Sequence, residues 1–226
     1  MESQHGVIFT GGDAPHPDAS RFVQRPTTII AVDSGWEHAR ASGAVPHVLV
    51  GDMDSILPEH LAEAERLGVE VVRHPVDKDL TDAEIALELA VERGFTVITV
   101  VSGGGDRIDH VIGFVNAAAV HSAPDRRVDI VVGRALITIV SPGAPLTATT
   151  GAEPLVSLVP LGGPAHGVTT RGLRWELANE TLAPLASRGV SNVPITTEYS
   201  VAITDGRLAV IEPYHFPRHT SHEGAS

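Results

Sequence analysis

The sequence predicts an α/β protein, with an N-terminal doubly wound, mostly parallel sheet and helices, followed by a C-terminal all-β, sandwich-like domain. Three observations carry this. Up to about residue 140, short Val- and Ile-rich runs alternate with helix-type segments. After residue 141, strand-like runs are separated by Gly, Pro and Asn, and no long helical pattern survives. Several of the early runs end in an acidic cluster, and parallel strands would bring such clusters to one edge of a sheet. The implied organisation is an α/β domain over 1–140, a β-sandwich over 141–214, and a polar, His-rich mobile tail over 215–226.

Six strands are predicted in the first domain, at 6–10, 28–32, 47–50, 69–72, 96–101 and 128–132. A helix is predicted over 82–93: Thr81 and Glu84 fit a capping box, Gly94 suits a left-handed terminator, and Ile85, Ala86, Leu89 and Ala90 form its apolar stripe. A second helix begins near Pro58, and a third runs from about Asp106 towards His121 behind three glycines. In the second domain, 155–161, 167–170, 173–177, 196–204 and 207–212 read as strands. Asp205-Gly206 signals a hairpin between the last two.

Of the 226 residues, 28 are acidic and 16 basic, a net charge of -12 that speaks against nucleic acid or anionic membranes as partners. A small anion carried with its metal is compatible with that balance. The chain has no cysteine, so disulfide and thiol chemistry are excluded. Its opening residues lack a basic start and hold only the short apolar run Val7-Ile8-Phe9, which makes the cytoplasm the default expectation.

The acidic motifs are VDSG at 32–35, GDMDS at 51–55, DKDLTD at 77–82 and GGGDRIDH at 103–110. Converging carboxylates repel one another unless a cation sits among them, so the expectation is a divalent-metal site for phosphate chemistry, with Mg²⁺ the natural choice for oxygen ligands. Asp33 alone is better explained as a turn former or helix cap. Asp52 and Asp54 make a stronger pair, since no helix beginning near Pro58 needs both as caps. Thr81 and Asp82 suit a helix start, whereas Asp77 and Asp79 are unexplained by one; Lys78 between them either holds phosphate or balances charge. Arg107 offers a bidentate fork for phosphate, beside Asp109 and His110.

Taken together and in order, these motifs resemble those of the thiamine pyrophosphokinase family over nearly the whole chain. GDMDS resembles the family's GDFDS, DKDLTDAE at 77–84 its D-x-D-x-T-D-x-x, and GGGDRIDH its G-x-x-G-x-R-x-D-H. GLRWEL at 172–177 is similar to G-L-K-W-x-L, and Gly189-Val190-Ser191-Asn192 to a segment ending in Ser-Asn. The resemblance implies transfer of the pyrophosphoryl group of ATP, the co-substrate, to the hydroxyl of thiamine, giving thiamine diphosphate and AMP. It also implies a homodimer with the active site between subunits. Asp52, Asp54, Asp82 and Asp109 would surround Mg²⁺. Asp33, Ser34, Asp54, Lys78, Arg107 and His110 would bind ATP. Asp82, Thr169, Trp175, Ser191 and Asn192 would meet thiamine.

The chemistry suits these residues. Arg107 and Lys78 can neutralise charge on the phosphates, and Asp79 or Asp82 can accept the hydroxyl proton, with Asp109 completing the catalytic set. An indole face at Trp175 favours a cationic thiazolium and a flat pyrimidine. Two other readings stay open at this level: a diphosphokinase acting on another alcohol such as a hydroxymethylpterin, and a non-catalytic nucleotide or thiamine sensor.

Overall fold

Residues branched at Cβ sit well on a pleated surface, and the Val- and Ile-rich runs do form strands. The computed structural model describes residues 4–24, 27–75, 79–105, 107–151 and 153–218. The six early strands are β1 (His5–Phe9), β2 (Thr28–Val32), β3 (Val48–Gly51), β4 (Glu70–Arg73), β5 (Val97–Ser102) and β6 (Arg127–Val132). All are parallel, in the order β4-β3-β2-β1-β5-β6. The chain thus starts in the middle, winds out to β4, then returns to the other side of β1 at β5. The crevice between the carboxyl ends of β1 and β5 is the switch point at which open α/β sheets bind ligands.

Four α-helices connect these strands: α1 (Gly35–Ala41), α2 (Pro58–Arg66), α3 (Asp82–Glu92) and α4 (Ile108–His121). Helix α3 starts as its capping pattern predicts, with the Thr81 hydroxyl accepting from Glu84 N–H at 3.2 Å, and Gly94 follows it at φ +77°. On one face of the sheet Ala86, Leu87 and Ala90 of α3 and Phe114, Ala117 and Ala118 of α4 pack on Ile8, Ile30, Val50, Val100 and Ile130. On the other, Ala39 of α1 and Ala19 of a short 3-10 helix pack with Val7, Phe9, Val101 and Phe216. Trp36 of α1 is fully buried against Leu49, Ile56 and Ala64, so it serves the core.

The sheet does not stop at β6. Strand β7 (Ala135–Val140) turns back antiparallel, and β13 (Leu208–Glu212) and β9 (Ser157–Pro160) extend the same sheet to nine strands. A second, four-stranded antiparallel sheet contains β11 (Glu180–Leu182), β10 (Ala165–Arg171), β12 (Glu198–Ala202) and β8 (Leu146–Thr149), in that order. Val168, Tyr199 and Val201 from this sheet close over Leu158, Leu208 and Val210 of the first, which makes the sandwich.

Three expectations are corrected. Asp205-Gly206 does not close a hairpin: β12 and β13 belong to different sheets, and the turn passes the chain between them. Gly206 (φ +89°) lies so close to residue 164 that a Cβ would stand 2.4 Å from the Pro164 carbonyl. Residues 173–177 form no strand; beyond a single bridge from Leu173 to Pro194 and the bond from Thr170 N–H to the Leu177 carbonyl, side chains bond the backbone of Trp175 and Leu177. The stretch read as tail is packed at its start, because Phe216 is fully buried, stacks on His16 and lies under Arg21. Truncating Phe216→Ala should lower unfolding free energy by about 3–5 kcal/mol, read by urea denaturation. A loss under about 1 kcal/mol would show that the seat contributes little to the fold.

Candidate active site

The turn after β2 fixes the position of one carboxylate. Asp33 adopts φ +45°, an unfavourable region for a residue with a Cβ, and its N–H donates to the Val50 carbonyl of β3 at 3.0 Å. Its side chain lies over Gly51, where a Cβ would come within 1.9 Å of Oδ1; only glycine leaves that space. The same Oδ1 accepts from Met53 N–H at 3.2 Å. Burial raises the Asp33 carboxyl to about pKa 6, and the charges of Asp82, Asp52 and Asp54 add to the rise against the opposing Met53 hydrogen bond.

Three acids from two other stretches of chain therefore act on Asp33. Asp52 and Asp54 follow β3, where Asp54 N–H donates to Asp52 Oδ1 at 3.1 Å and the Ser55 hydroxyl to Asp54 Oδ1 at 2.7 Å. Asp82 comes from the first turn of α3. Ser34, next to Asp33, has its hydroxyl against the loop after β1: a Cβ at Gly11 would meet Ser34 Oγ at 2.4 Å. Asp79 is exposed just before α3, and Lys78 lies outside the described residues, as do Asp77 and Asp106. Among the described residues no three His, Asp or Glu side chains are grouped tightly enough to hold a metal ion.

Sequence reasoning passed over the loop after β1. Gly12 and Asp13 pack against Gly103, Gly104 and Gly105 after β5, with a Cβ at Gly12 only 2.8 Å from the Gly104 carbonyl and one at Gly103 2.0 Å from that of Asp13. These two glycine loops flank the crevice between β1 and β5. The signal was present, since Gly-Gly-Asp follows the first apolar run as the later motifs follow theirs.

At the start of α4, Arg107 and Asp109 pair with each other. Nε reaches Oδ1 at 3.0 Å and Nη2 reaches Oδ2 at 2.7 Å, both groups exposed; the hydrogen bonds from Arg107 hold the Asp109 carboxyl down at about 2. Asp109 is not among the charges that act on Asp33. His110 is exposed beside them.

In the β half, Trp175 is 58% exposed, with the Arg174 guanidinium 5.7 Å from its ring centroid. Asn192 is buried, and its carboxamide bonds the Trp175 backbone twice. Ser191 (φ +62°) donates its N–H to Ser157 Oγ at 3.0 Å, while Thr169 Oγ1 accepts from Asn179 N–H at 3.1 Å.

Residues 19–131 match the family described as "Thiamin pyrophosphokinase, catalytic domain", and residues 146–208 match "Thiamin pyrophosphokinase, vitamin B1 binding domain". The chain belongs to the thiamin pyrophosphokinase family. It is 23% identical over 195 residues to a thiamine pyrophosphokinase of Bacillus subtilis, covering 86% of this chain and 91% of that one. Among solved structures, a thiamine pyrophosphokinase from Bacillus subtilis superposes with a TM-score of 0.81 at 22% identity, over 92% of this chain and 98% of the other. A thiamin pyrophosphokinase from Geobacillus thermodenitrificans gives 0.79 at 26% identity, over 96% and 99%. Membership of the family makes the chain a pyrophosphate-transferring enzyme, and the fold matches in both the helix-flanked sheet and the antiparallel C-terminal half.

The raised Asp33 carboxyl sets a pH dependence. Folded protein keeps its proton up to about pH 6, whereas the unfolded chain releases it near about pH 4. Between those values the folded state binds more protons, so metal-free stability falls as pH rises through this window, and the full cost is present above it. Asp33→Asn should remove that fall, gaining about 1–2 kcal/mol at pH 7.5 after solvent screening is allowed for. Identical stability–pH curves for the two proteins would show that Asp33 is not under this strain.

Proposed function

We propose that the chain transfers the β,γ-pyrophosphoryl group of ATP to the hydroxyethyl oxygen of thiamine, releasing AMP. The observation that carries this reading is that Asp33, Asp52 and Asp54 follow adjacent parallel strands at the carboxyl edge, near enough to one another and to Asp82 for the charges of Asp82, Asp52 and Asp54 to act on Asp33. Carboxylates held close enough to act on one another at the ligand-binding edge of such a sheet are suited to a cation that arrives with its ligand. The donor set suits Mg²⁺, which takes hard oxygen ligands and commonly uses only one or two carboxylates together with waters and phosphate oxygens. Asp52, Asp54 and Asp82 would supply those carboxylates, directly or through the ion's waters, with Asp109 close to the phosphates. When bound, the metal would offset charge on the triphosphate and lower the pKa of a coordinated hydroxyl.

In this reading the alcohol oxygen attacks the β-phosphorus, the bond to the α-phosphate's bridging oxygen breaks, and AMP leaves with that oxygen. Asp79 or Asp82 takes the hydroxyl proton. Lys78, Arg107 and His110 would bind the phosphates, and Asp33 and Ser34 the nucleotide. Phosphate oxygens compete with Asp109 for the Arg107 fork, so nucleotide binding opens that pair and frees Asp109. Trp175, beside Thr169, Ser191 and Asn192, presents an exposed indole to thiamine. The match of residues 146–208 to a vitamin B1 binding domain favours thiamine over a pterin alcohol as acceptor.

A homodimer belongs to the same proposal. Ile108, Ile112 and Val120 form an exposed apolar row on α4, and Trp175, Val190 and Ile195 are exposed in the β half. A two-fold dimer pairing one patch with the other would bury both sets and assemble the site between subunits. Cytoplasmic residence accords with ATP as donor. No helix among the described residues is long and apolar enough to cross a membrane.

Incubation with ATP, Mg²⁺ and thiamine should give equal amounts of AMP and thiamine diphosphate, and a hydroxymethylpterin offered instead should give neither. Formation of ADP, or no turnover, would refute the reading. Asp54→Asn and Asp109→Asn should each lower kcat by about 10²-fold or more with unchanged unfolding curves. Placing a charge in the apolar row, Ile112→Glu, should give monomers with little activity in sedimentation and turnover assays. A fully active monomer would remove the shared site.

A further inference from the structure

The resemblance casts Asn192 as a thiamine contact, but its surroundings give the side chain another task. The carboxamide is 4% exposed. Its Oδ1 accepts from Trp175 N–H at 3.1 Å and from Val193 N–H at 2.9 Å, and its Nδ2 donates to the Trp175 carbonyl at 2.8 Å. A carboxamide has two acceptor sites and two donor hydrogens, so three of its four valences are used inside the protein. It takes the place of a peptide group from a neighbouring strand, bonding both polar atoms of one residue's backbone.

The segment carrying Asn192 is itself held. Asn192 and Val156 exchange both backbone hydrogen bonds, at 2.8 and 2.9 Å. Gly189 (φ +101°) and Ser191 (φ +62°) turn the chain sharply, and a Cβ at Gly189 would stand 2.7 Å from the Leu158 carbonyl. On the other side, Gly172 accepts from Ile195 N–H at 2.9 Å, and Val193 accepts from Arg174 N–H at 2.8 Å. The 172–175 segment is therefore fastened at both ends to 192–195, while the Trp175 indole projects from it 58% exposed. An exposed ring keeps a fixed direction only if its backbone is fixed, and Asn192 is the side chain that fixes it.

We propose that Asn192 is a positioning residue for thiamine, acting through Trp175 rather than by touching the substrate. This rests on the reading of Trp175 as the thiamine platform. Asp at 192 keeps the shape but loses the donor and sets a charge against the Trp175 carbonyl. Ser is too short to span both backbone atoms.

A double-mutant cycle on the full-length enzyme tests this, with KM for thiamine and for ATP, kcat, and iodide quenching of the exposed indole as readouts. Asn192→Ala should raise the thiamine KM about ten-fold, leave the ATP KM unchanged, and alter quenching of Trp175. In a Trp175→Ala background the same change should have almost no further effect on thiamine KM. Multiplying effects in the double variant would mean that Asn192 meets thiamine directly, and would overturn the proposal, as would an unchanged KM in Asn192→Ala. If Asn192→Ala does not fold, Asn192→Ser, which retains an acceptor oxygen, carries the same cycle. If Trp175→Ala leaves thiamine KM unaltered, the platform reading fails on its own. Unaltered quenching of Trp175 in Asn192→Ala would then overturn the positioning role as well.

Discussion

Carboxylates brought together by a fold repel one another, and the rest of the site is organised around tolerating that repulsion. The parallel strands deliver Asp33 and Asp52 to one edge because β2 and β3 run side by side in the same direction. Gly51 leaves room for the Asp33 side chain, and the Met53 N–H offsets part of its charge. Helix α3 contributes Asp82 in its first turn, where the helix dipole favours an anion. Burial first, and then the charges of Asp82, Asp52 and Asp54, still raise the Asp33 carboxyl against these supports. Strain of this kind persists where a bound group relieves it.

The fold separates this duty from recognition of the second substrate. One continuous sheet runs from the parallel strands that carry the acids to the antiparallel strands β7, β13 and β9, which form one wall of the sandwich. The shared sheet sets the two halves in a defined relation, while the four-stranded sheet and its loops carry the exposed indole. Phe216 ties the segment after β13 back to the 3-10 helix beside β1, so the outer face of the acid-bearing sheet is also covered there.

Much of this was legible in the sequence, for physical reasons. A buried parallel strand must be apolar along its length, so Val- and Ile-rich runs marked β1 to β6, and Thr81 with Gly94 marked the ends of α3. The acids stood out because the same device recurred after several strands. What the sequence concealed depends on contacts between distant residues. Leu173, Trp175 and Leu177 alternate with charged residues and so looked like one strand, but the backbone at Trp175 is bonded by the Asn192 side chain. Asp205-Gly206 has hairpin chemistry, yet the neighbouring 164–166 backbone decides that it joins two sheets. Asp33, unremarkable in its own motif, became central only when Gly51 and Asp82 were seen around it. The Arg107–Asp109 pair is a choice of partners that spacing alone does not reveal.

The central claim is that the acids around Asp33 share one cation with the nucleotide's phosphates. Manganese takes the same oxygen ligands as Mg²⁺ and can be followed by its electron spin resonance. In a Mn²⁺ titration with a non-hydrolysable ATP analogue, the wild-type chain should bind the ion saturably. Asp82→Asn, folded to the same extent, should bind it about ten-fold or more weakly. Superimposable titrations of the two proteins would contradict the account.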